Sequence, residues 1–173
     1  MVSESEIKEI FCGITETYEQ ALRLGRNCQS NIYYRIEDLK EKELQLCAEY
    51  LRERIIKVCY PTQPQILVSL KSNFTELAEK LAYELAPGGE SLEVYDLEKI
   101  EAGNGIRKIL KGRPVVLVND VITTGKSCLE AHNTTTLMGG SVQCWAALID
   151  RTFGPGPVPV VASFTGAPIT LIY

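Results

Sequence analysis

The sequence has only one histidine and no long apolar run, and these two shortages exclude several classes of protein. The longest uninterrupted apolar run, Cys144–Ile149, is six residues, whereas a helix needs roughly 20 to cross a bilayer. The histidine is His132, and none of the six cysteines are spaced as Cys-x-x-Cys, so no group has the spacing of a zinc site. We therefore expect neither a membrane span nor structural zinc.

An excess of positive charge is also missing. The net charge is −4 and the isoelectric point is near 5.2, which argues against binding nucleic acid through bulk charge. The first ten residues carry three glutamates and no central apolar block, so they do not resemble a secretory signal. We expect a cytoplasmic protein with reduced thiols, acting on small molecules and not on nucleic acid or membranes.

The length of 173 residues predicts a single domain. The pattern of residues 1–60 predicts mainly two helices. We expect them to form a small N-terminal hood over one end of the sheet. One helix runs from Ser3 past Leu22, capped by Ser3-x-x-Glu6, and the other runs from about Asp38 to Cys59 with Leu44, Cys47, Leu51, Ile55 and Val58 on its buried face.

Residues 61–173 alternate short apolar strands with helices, which is typical of an α/β fold with a Rossmann-like parallel sheet flanked by helices. The predicted strands are Gln65–Leu70, Leu92–Leu97, Val115–Val118, Val142–Ile149, Val160–Phe164 and Ile169–Tyr173, and the predicted helices are Thr75–Leu85 and Ser127–Met138.

The most informative segment is Val115–Ser127, VVLVNDVITTGKS. An apolar strand ends in Asn119 and Asp120, and a turn rich in threonine and glycine then opens a helix. Such a turn directs backbone N–H groups and hydroxyls at one point near a positive helix end, which suits a phosphate monoester. Because Asp120 would repel that phosphate, we expect it to bind hydroxyls, so the predicted ligand is a sugar phosphate. A nucleoside-triphosphate P-loop is disfavoured, since that motif needs a glycine where Asp120 stands.

This segment resembles the signature of the type I phosphoribosyltransferases, which bind 5-phosphoribosyl-1-pyrophosphate (PRPP). The resemblance implies that Asn119 and Asp120 contact the ribose hydroxyls, with Val121 beside them. It also implies that the 5′-phosphate is cradled by the turn and the first helical residues. These are Thr123, Thr124, Gly125, Lys126 and Ser127. Asn119 departs from the family, where most members have Asp or Glu.

Two further segments are similar to orotate phosphoribosyltransferases in particular. Asp150-Arg151 follows an apolar strand, where that subgroup has an Asp-Arg pair whose arginine contacts the pyrimidine carboxylate, so Arg151 is the predicted base-binding residue. The segment after Leu70 is similar to the family's pyrophosphate loop and implies roles for Lys71 and Ser72. The segment before Ile106 lies at the place of the family's mobile catalytic loop, with Lys99 as the candidate for contacting pyrophosphate. The family's N-terminal region forms a hood over the base, and the resemblance implies that Asn31–Arg35 lines it.

The resemblance implies transfer of the phosphoribosyl group of PRPP to a base, with orotate as the expected acceptor. Lys99, Asp120 and Lys71 are the expected catalytic residues. Mg²⁺ is implied as the cofactor, bound through pyrophosphate and ribose with Asp120 nearby. A homodimer is implied too, because orotate-type members lend the loop lysine across the interface. A regulatory protein that binds PRPP with little catalysis and a purine-base transferase remain alternatives.

Overall fold

The computed structural model of the protein describes residues 2–24, 28–70, 75–86, 92–97, 106–152, 157–166 and 170–171. Its α-helices are α1 (Glu4–Gly13), α2 (Glu41–Cys59), α3 (Thr75–Leu85), α4 (Ile106–Leu110) and α5 (Lys126–Leu137), with a 3-10 turn at Ile36–Asp38. Its strands are β1 (Thr15–Arg23), β2 (Cys28–Tyr34), β3 (Ile66–Ser69), β4 (Glu93–Asp96), β5 (Pro114–Ile122), β6 (Ser141–Asp150), β7 (Val160–Thr165) and β8 (Thr170–Leu171).

The main sheet has five parallel strands in the order β4-β3-β5-β6-β7. The chain moves from β3 to one edge at β4, then returns to the other side of β3 with β5. In open parallel sheets, ligands bind at the carboxyl ends of the strands where the winding direction changes. The predicted α/β class is confirmed, and the topology directs attention to the space between the ends of β3 and β5.

The core lies on both faces of this sheet, and alternate residues of each strand divide between the faces. Val116 and Val118 pack in the cluster that includes α2 and α3, whereas Val115 and Leu117 pack on the opposite side with Cys128 of α5. Each of these side chains is at most 2% exposed. Because β5 is buried on both faces, its continuous apolar sequence is what a central parallel strand requires.

The predicted helix from Ser3 past Leu22 is wrong in its second half. Ser3 does cap α1, accepting from the backbone N–H of Glu6 at 3.3 Å, but α1 ends at Gly13 and the chain continues as β1. This strand pairs antiparallel with β2, which in turn pairs with β8. Local apolar spacing favoured a helix, but pairing with β2 supplies hydrogen bonds from outside the local window, and the β-branched residues of the segment suit a strand.

Other predicted elements agree with the structure to within a few residues, and four features differ. Helix α2 begins at Glu41 instead of about Asp38, and Val58 is 41% exposed while neighbouring Cys59 is buried. Strand β5 continues four residues past Val118, and α4 was not predicted.

All six cysteines are free thiols, as expected. Among the described residues, none of the helices combines the length and apolarity needed to cross a bilayer.

Candidate active site

Strand β5 is longer than its neighbour β3, and the difference creates the candidate site. The last residue of β3, Ser69, pairs with Val118, whereas β6 accompanies β5 as far as the pair Ile122–Asp150. Residues 119–122 therefore extend beyond β3 and have a strand neighbour on the β6 side. This places Asp120 at the carboxyl edge of the sheet, at the change of winding direction.

A cavity of about 590 Å³ adjoins this extension. Asp120, Val121 and Thr123 line it from the β5 side, and Glu76 and Leu77 line it from the start of α3. Its volume is in the range of small-molecule sites. The structure thus brings three of the predicted PRPP-binding residues to one recess that a sugar phosphate can enter.

The turn into α5 has the backbone geometry expected of an anion site. Gly125 precedes α5 with φ +73°, and no side chain among the described residues caps the helix there. A Cβ at Gly125 would meet the Trp145 ring at 3.5 Å, an ordinary van der Waals contact, so it is the positive φ that favours glycine. The Lys126 N–H donates to Thr124 Oγ1 at a long 3.4 Å. Backbone N–H groups of an uncapped first helical turn can bind a phosphate.

The two side chains at the strand end have different surroundings. Asp120 is at the cavity wall, whereas Asn119 is only 6% exposed and its Nδ2 donates to the Val121 carbonyl at 3.3 Å. Its amide also lies 3.9 Å from Cys128 Sγ. Burial raises the pKa of the Cys128 thiol to about 12, opposed in part by this contact with Asn119. Among the described residues Asn119 Oδ1 has no hydrogen-bond partner.

Lys126 and Ser127 face away from the cavity. The Lys126 side chain is 77% exposed and its Nζ lies 3.8 Å from Glu130 Oε1, one helical turn along. Ser127 is exposed as well. If these residues contact a phosphate, the backbone N–H groups are better placed to do so than the lysine side chain.

Arg151 and Asp150, predicted together, have separate environments. Asp150 Oδ1 accepts hydrogen bonds from the backbone N–H and the hydroxyl of Thr152, at 2.8 and 2.7 Å, and so stabilises the turn after β6. Arg151 lines the cavity, although only 4% of its surface is exposed. Burial lowers the pKa of Arg151, while Tyr34 and Cys28 act in the opposite direction.

The charges around the cavity are unequal. Among its lining residues are three carboxylates, Glu37, Glu76 and Asp120, and one guanidinium, Arg151. Glu37 lies 3.8 Å from Arg35, and Glu76 lies 3.6 Å from Lys80. Within the described residues, no three His, Cys, Asp or Glu side chains are grouped as a metal site. A strongly anionic ligand therefore needs additional positive charge in order to bind here.

Three predicted site residues, Lys71, Ser72 and Lys99, lie outside the described residues. The pyrophosphate side of the candidate site therefore stays a prediction. On the opposite side, Tyr33 and Tyr34 of β2 line the cavity, and both belong to the stretch Asn31–Arg35 that the resemblance places at the hood over the base. Only the fold shows that this strand borders the same cavity as Asp120 and Arg151.

The chain shares sequence with orotate phosphoribosyltransferases over part of its length. Those of Campylobacter concisus and Campylobacter fetus are each 35% identical to it over 74 residues, covering 41% of this chain and 36% of each relative. The matched segment thus spans about a third of the length of these curated relatives. No family model matches the chain.

Solved structures are similar over nearly the whole chain. The orotate phosphoribosyltransferase of Francisella tularensis superimposes with a TM-score of 0.67 and 18% identity, covering 95% of this chain and 84% of that one. That of Mycobacterium tuberculosis gives a TM-score of 0.63 and 17% identity, covering 94% and 95%.

The winding of the five-stranded sheet, the hydroxyl-rich turn after β5 and these superpositions define the fold of the type I phosphoribosyltransferases. Within that class, the chain is similar in sequence and in fold to orotate phosphoribosyltransferases. The resemblance expected from Val115–Ser127 is confirmed.

Proposed function

We propose that this protein transfers the 5-phosphoribosyl group of PRPP to a nitrogenous base, with release of pyrophosphate, and that the base is orotate. The observation that carries the proposal is the meeting of two predicted groups in one cavity. Asp120 and Thr123 of the signature segment line the same recess as Arg151. The recess lies at the carboxyl edge of the sheet, where this fold binds ligands.

At the sugar end, Asp120 accepts hydrogen bonds from the ribose hydroxyls and the turn before α5 binds the 5′-phosphate. A carboxylate suits a diol and repels a phosphate, so the two groups bind opposite ends of the sugar. Holding both ends positions carbon 1 between the pyrophosphate and the incoming ring nitrogen. Positioning of this kind supplies much of the rate enhancement in a reaction that needs little proton transfer.

At the base end, Arg151 favours an acceptor with a carboxylate. Its guanidinium offers a planar set of donors that matches a carboxylate, and burial strengthens such a contact by lowering the local dielectric. Orotate carries a carboxylate, whereas the common purine bases do not. Arg151 is therefore the main argument for orotate over a purine acceptor.

We also propose Mg²⁺ as the cofactor, because the charges of the cavity fit it. The three lining carboxylates would repel the phosphates of PRPP, and a hard divalent cation held near Asp120 would offset that repulsion. When bound, the cation stabilises the charge that develops on the leaving pyrophosphate. Asp120 is the described residue that would lie nearest to it. Lys71, Ser72 and Lys99 are proposed to contact the same pyrophosphate.

A second candidate function is a regulatory protein that binds PRPP with little catalysis. Asn119 favours it, because this amide is buried and bonded to the Val121 carbonyl. Asp120 is then the single carboxylate of the pair at the sugar. One carboxylate is enough to bind a diol but gives less charge stabilisation to the cationic sugar of the transition state.

One experiment separates these functions. Calorimetry measures PRPP binding in the presence of Mg²⁺, and the fall in orotate absorbance measures transfer on the same preparation. We expect both binding and turnover. Binding with no turnover, on orotate or on the common purine and pyrimidine bases, would support the regulatory function, and turnover on a purine alone would contradict the role of Arg151. No PRPP binding at all would overturn both.

The proposed quaternary structure is a homodimer in which one subunit lends Lys99 to the site of its partner. Mixing subunits tests it. A Lys99→Ala chain mixed with an Asp120→Ala chain should recover activity, because some mixed dimers then hold one intact site. Sedimentation of a monomer at assay concentrations would exclude this arrangement.

A further inference from the structure

Arg151 is held by strand β2 through both ends of its guanidinium. Nη2 donates to Ser30 Oγ at 2.6 Å, and Nη1 donates to the Ile32 carbonyl at 3.3 Å. The Tyr34 ring lies against the same group, with its centroid 5.4 Å from Cζ. These partners are 117 to 121 residues from Arg151 in the sequence, so the contact exists only in the folded protein.

The three partners share one face of β2. Side chains of a strand alternate between its faces, and the burial of Cys28–Tyr34 follows that rule: Ser30 and Tyr34 are 6% exposed, whereas Asn31 is exposed. Ser30 is itself fixed, because its Oγ also accepts from the Ile32 N–H at 3.1 Å. A hydroxyl oxygen has two acceptor sites, so one serine orients both the local backbone and the arginine.

The rest of Arg151 is equally confined. Its backbone N–H donates to the Ile122 carbonyl at the end of β5, at 2.8 Å. Its side-chain stem passes Gly166, where an added Cβ would lie 2.8 Å from Arg151 Cγ. The long side chain therefore has little rotational freedom left, and the guanidinium is oriented before any ligand arrives.

We propose that Ser30 is a positioning residue that determines acceptor specificity: by fixing one edge of the Arg151 guanidinium, it aligns the group for the carboxylate of the acceptor. This deepens the proposed function and rests on it. Without the Ser30 hydroxyl the arginine keeps its charge but loses the bond that fixes its Nη2 edge. Recognition of the carboxylate is then weakened, whereas binding of the sugar and phosphate, which depends on β5 and α5, is unchanged.

The test compares two nucleotides that differ only in the carboxylate, orotidine 5′-phosphate and uridine 5′-phosphate. Calorimetry gives the ratio of their dissociation constants for the unaltered protein and for Ser30→Ala. We expect the preference for the carboxylate-bearing nucleotide to fall about tenfold in Ser30→Ala, in line with loss of one hydrogen bond to a charged group. The affinity for uridine 5′-phosphate and for PRPP should stay the same.

A matched pair of variants isolates the hydroxyl. Ser30→Thr and Ser30→Val have side chains of the same shape, and both suit a strand, but only threonine keeps the oxygen. We expect Ser30→Thr to retain the preference and Ser30→Val to lose it. Asn31→Ala, on the exposed face of the same strand, is the control that should change nothing. Thermal unfolding verifies that each variant is folded.

An equal nucleotide preference in Ser30→Thr and Ser30→Val would overturn the proposal. An equal loss for both nucleotides in Ser30→Ala would do the same, since it would indicate general damage to the cavity. If Ser30→Ala does not fold, Arg151→Lys takes its place, because an ammonium keeps the charge but lacks the planar set of donors that the guanidinium presents. Failure of the proposed function looks different, because the unaltered protein would then show no preference for orotidine 5′-phosphate over uridine 5′-phosphate.

Discussion

The two ends of the cavity are built in different ways. The sugar end comes from consecutive residues of one strand, turn and helix, running from Asp120 to Lys126. The base end comes from residues far apart in the chain, with Arg151 bonded to Ser30 across 121 positions. The first is fixed by local backbone geometry, and the second depends on packing β2 against the main sheet. Binding of the sugar phosphate and choice of acceptor can therefore be altered separately.

The largest effect should follow removal of the carboxylate at the sugar end. Asp120→Ala is expected to lower turnover by about a hundredfold or more, because a positioned charged group at the reacting sugar is lost. The fold should stay intact, as measured by thermal unfolding. Glu79→Ala, an exposed carboxylate of α3, is the control. Turnover within a few-fold of the unaltered protein would contradict the assignment of Asp120.

Gly166→Ala should disturb the base end while sparing the sugar end. An added Cβ would lie 2.7 Å from Ile149 Cγ2 and 2.8 Å from Arg151 Cγ. Overpacking of this kind costs about 1–3 kcal/mol of unfolding free energy, and we expect KM for orotate to rise about tenfold while KM for PRPP is unchanged. Gly13→Ala is the control, since a Cβ there meets nothing within 4 Å. Equal changes in both KM values would show that the two ends are not separable.

Asn119→Asp should destabilise the protein in a pH-dependent manner. Residue 119 is 6% exposed and its amide donates to the Val121 carbonyl, so an ionised carboxylate there would be desolvated and would face another oxygen. Burial raises the pKa of such a carboxyl group in the folded state above its unfolded value of about 3.9. The folded state then holds the extra proton, so stability falls as pH rises through about 4 and the deficit is complete above the raised pKa.

The expected deficit is about 1–2 kcal/mol at pH 7, corresponding to a pKa raised by about one unit. Urea unfolding at pH 4 and pH 7 measures it. Asn133→Asp, on the exposed face of α5, should show no comparable change between the two pH values. A deficit that did not grow with pH would show that residue 119 is hydrated in the folded state.

The smallest effect should come from the lysine at the start of α5. Its side chain points towards Glu130 and is 77% exposed, so the 5′-phosphate is expected to bind mainly to backbone N–H groups. Lys126→Ala should therefore change the dissociation constant for PRPP by less than about threefold in calorimetry, in keeping with the small contribution of exposed charges. A loss of tenfold or more would mean that the ammonium reaches the phosphate.

The local structure of the segment from Val115 to Ser127 could be predicted from the sequence because its information is contiguous. Apolar β5, the Asn-Asp pair and the glycine before α5 all act on their immediate neighbours, so a single segment indicates strand, turn and helix together. The same holds for α3, whose bounds agree with the prediction at both ends. Similarity to a known signature then added the ligand.

The base end could not be predicted in the same way. Arg151 was identified by resemblance, but its partners on β2 depend on a tertiary contact that no local pattern encodes. The error in β1 has the same origin, because its pairing with β2 outweighs a helical spacing of apolar residues. Asn119 was expected beside the sugar, and only the packing of Cys128 beneath β5 shows that its amide is buried.

Strand β5 runs four residues beyond its last pair with β3, and the recess lies beside this extension. Four residues of overhang, at about 3.3 Å per residue, form a step about 13 Å deep at the rim. The step is formed by a strand of the main sheet, so the proposed ligand would rest on regular secondary structure. Lengthening β3 would fill that step and abolish binding while leaving every side chain of β5 in place.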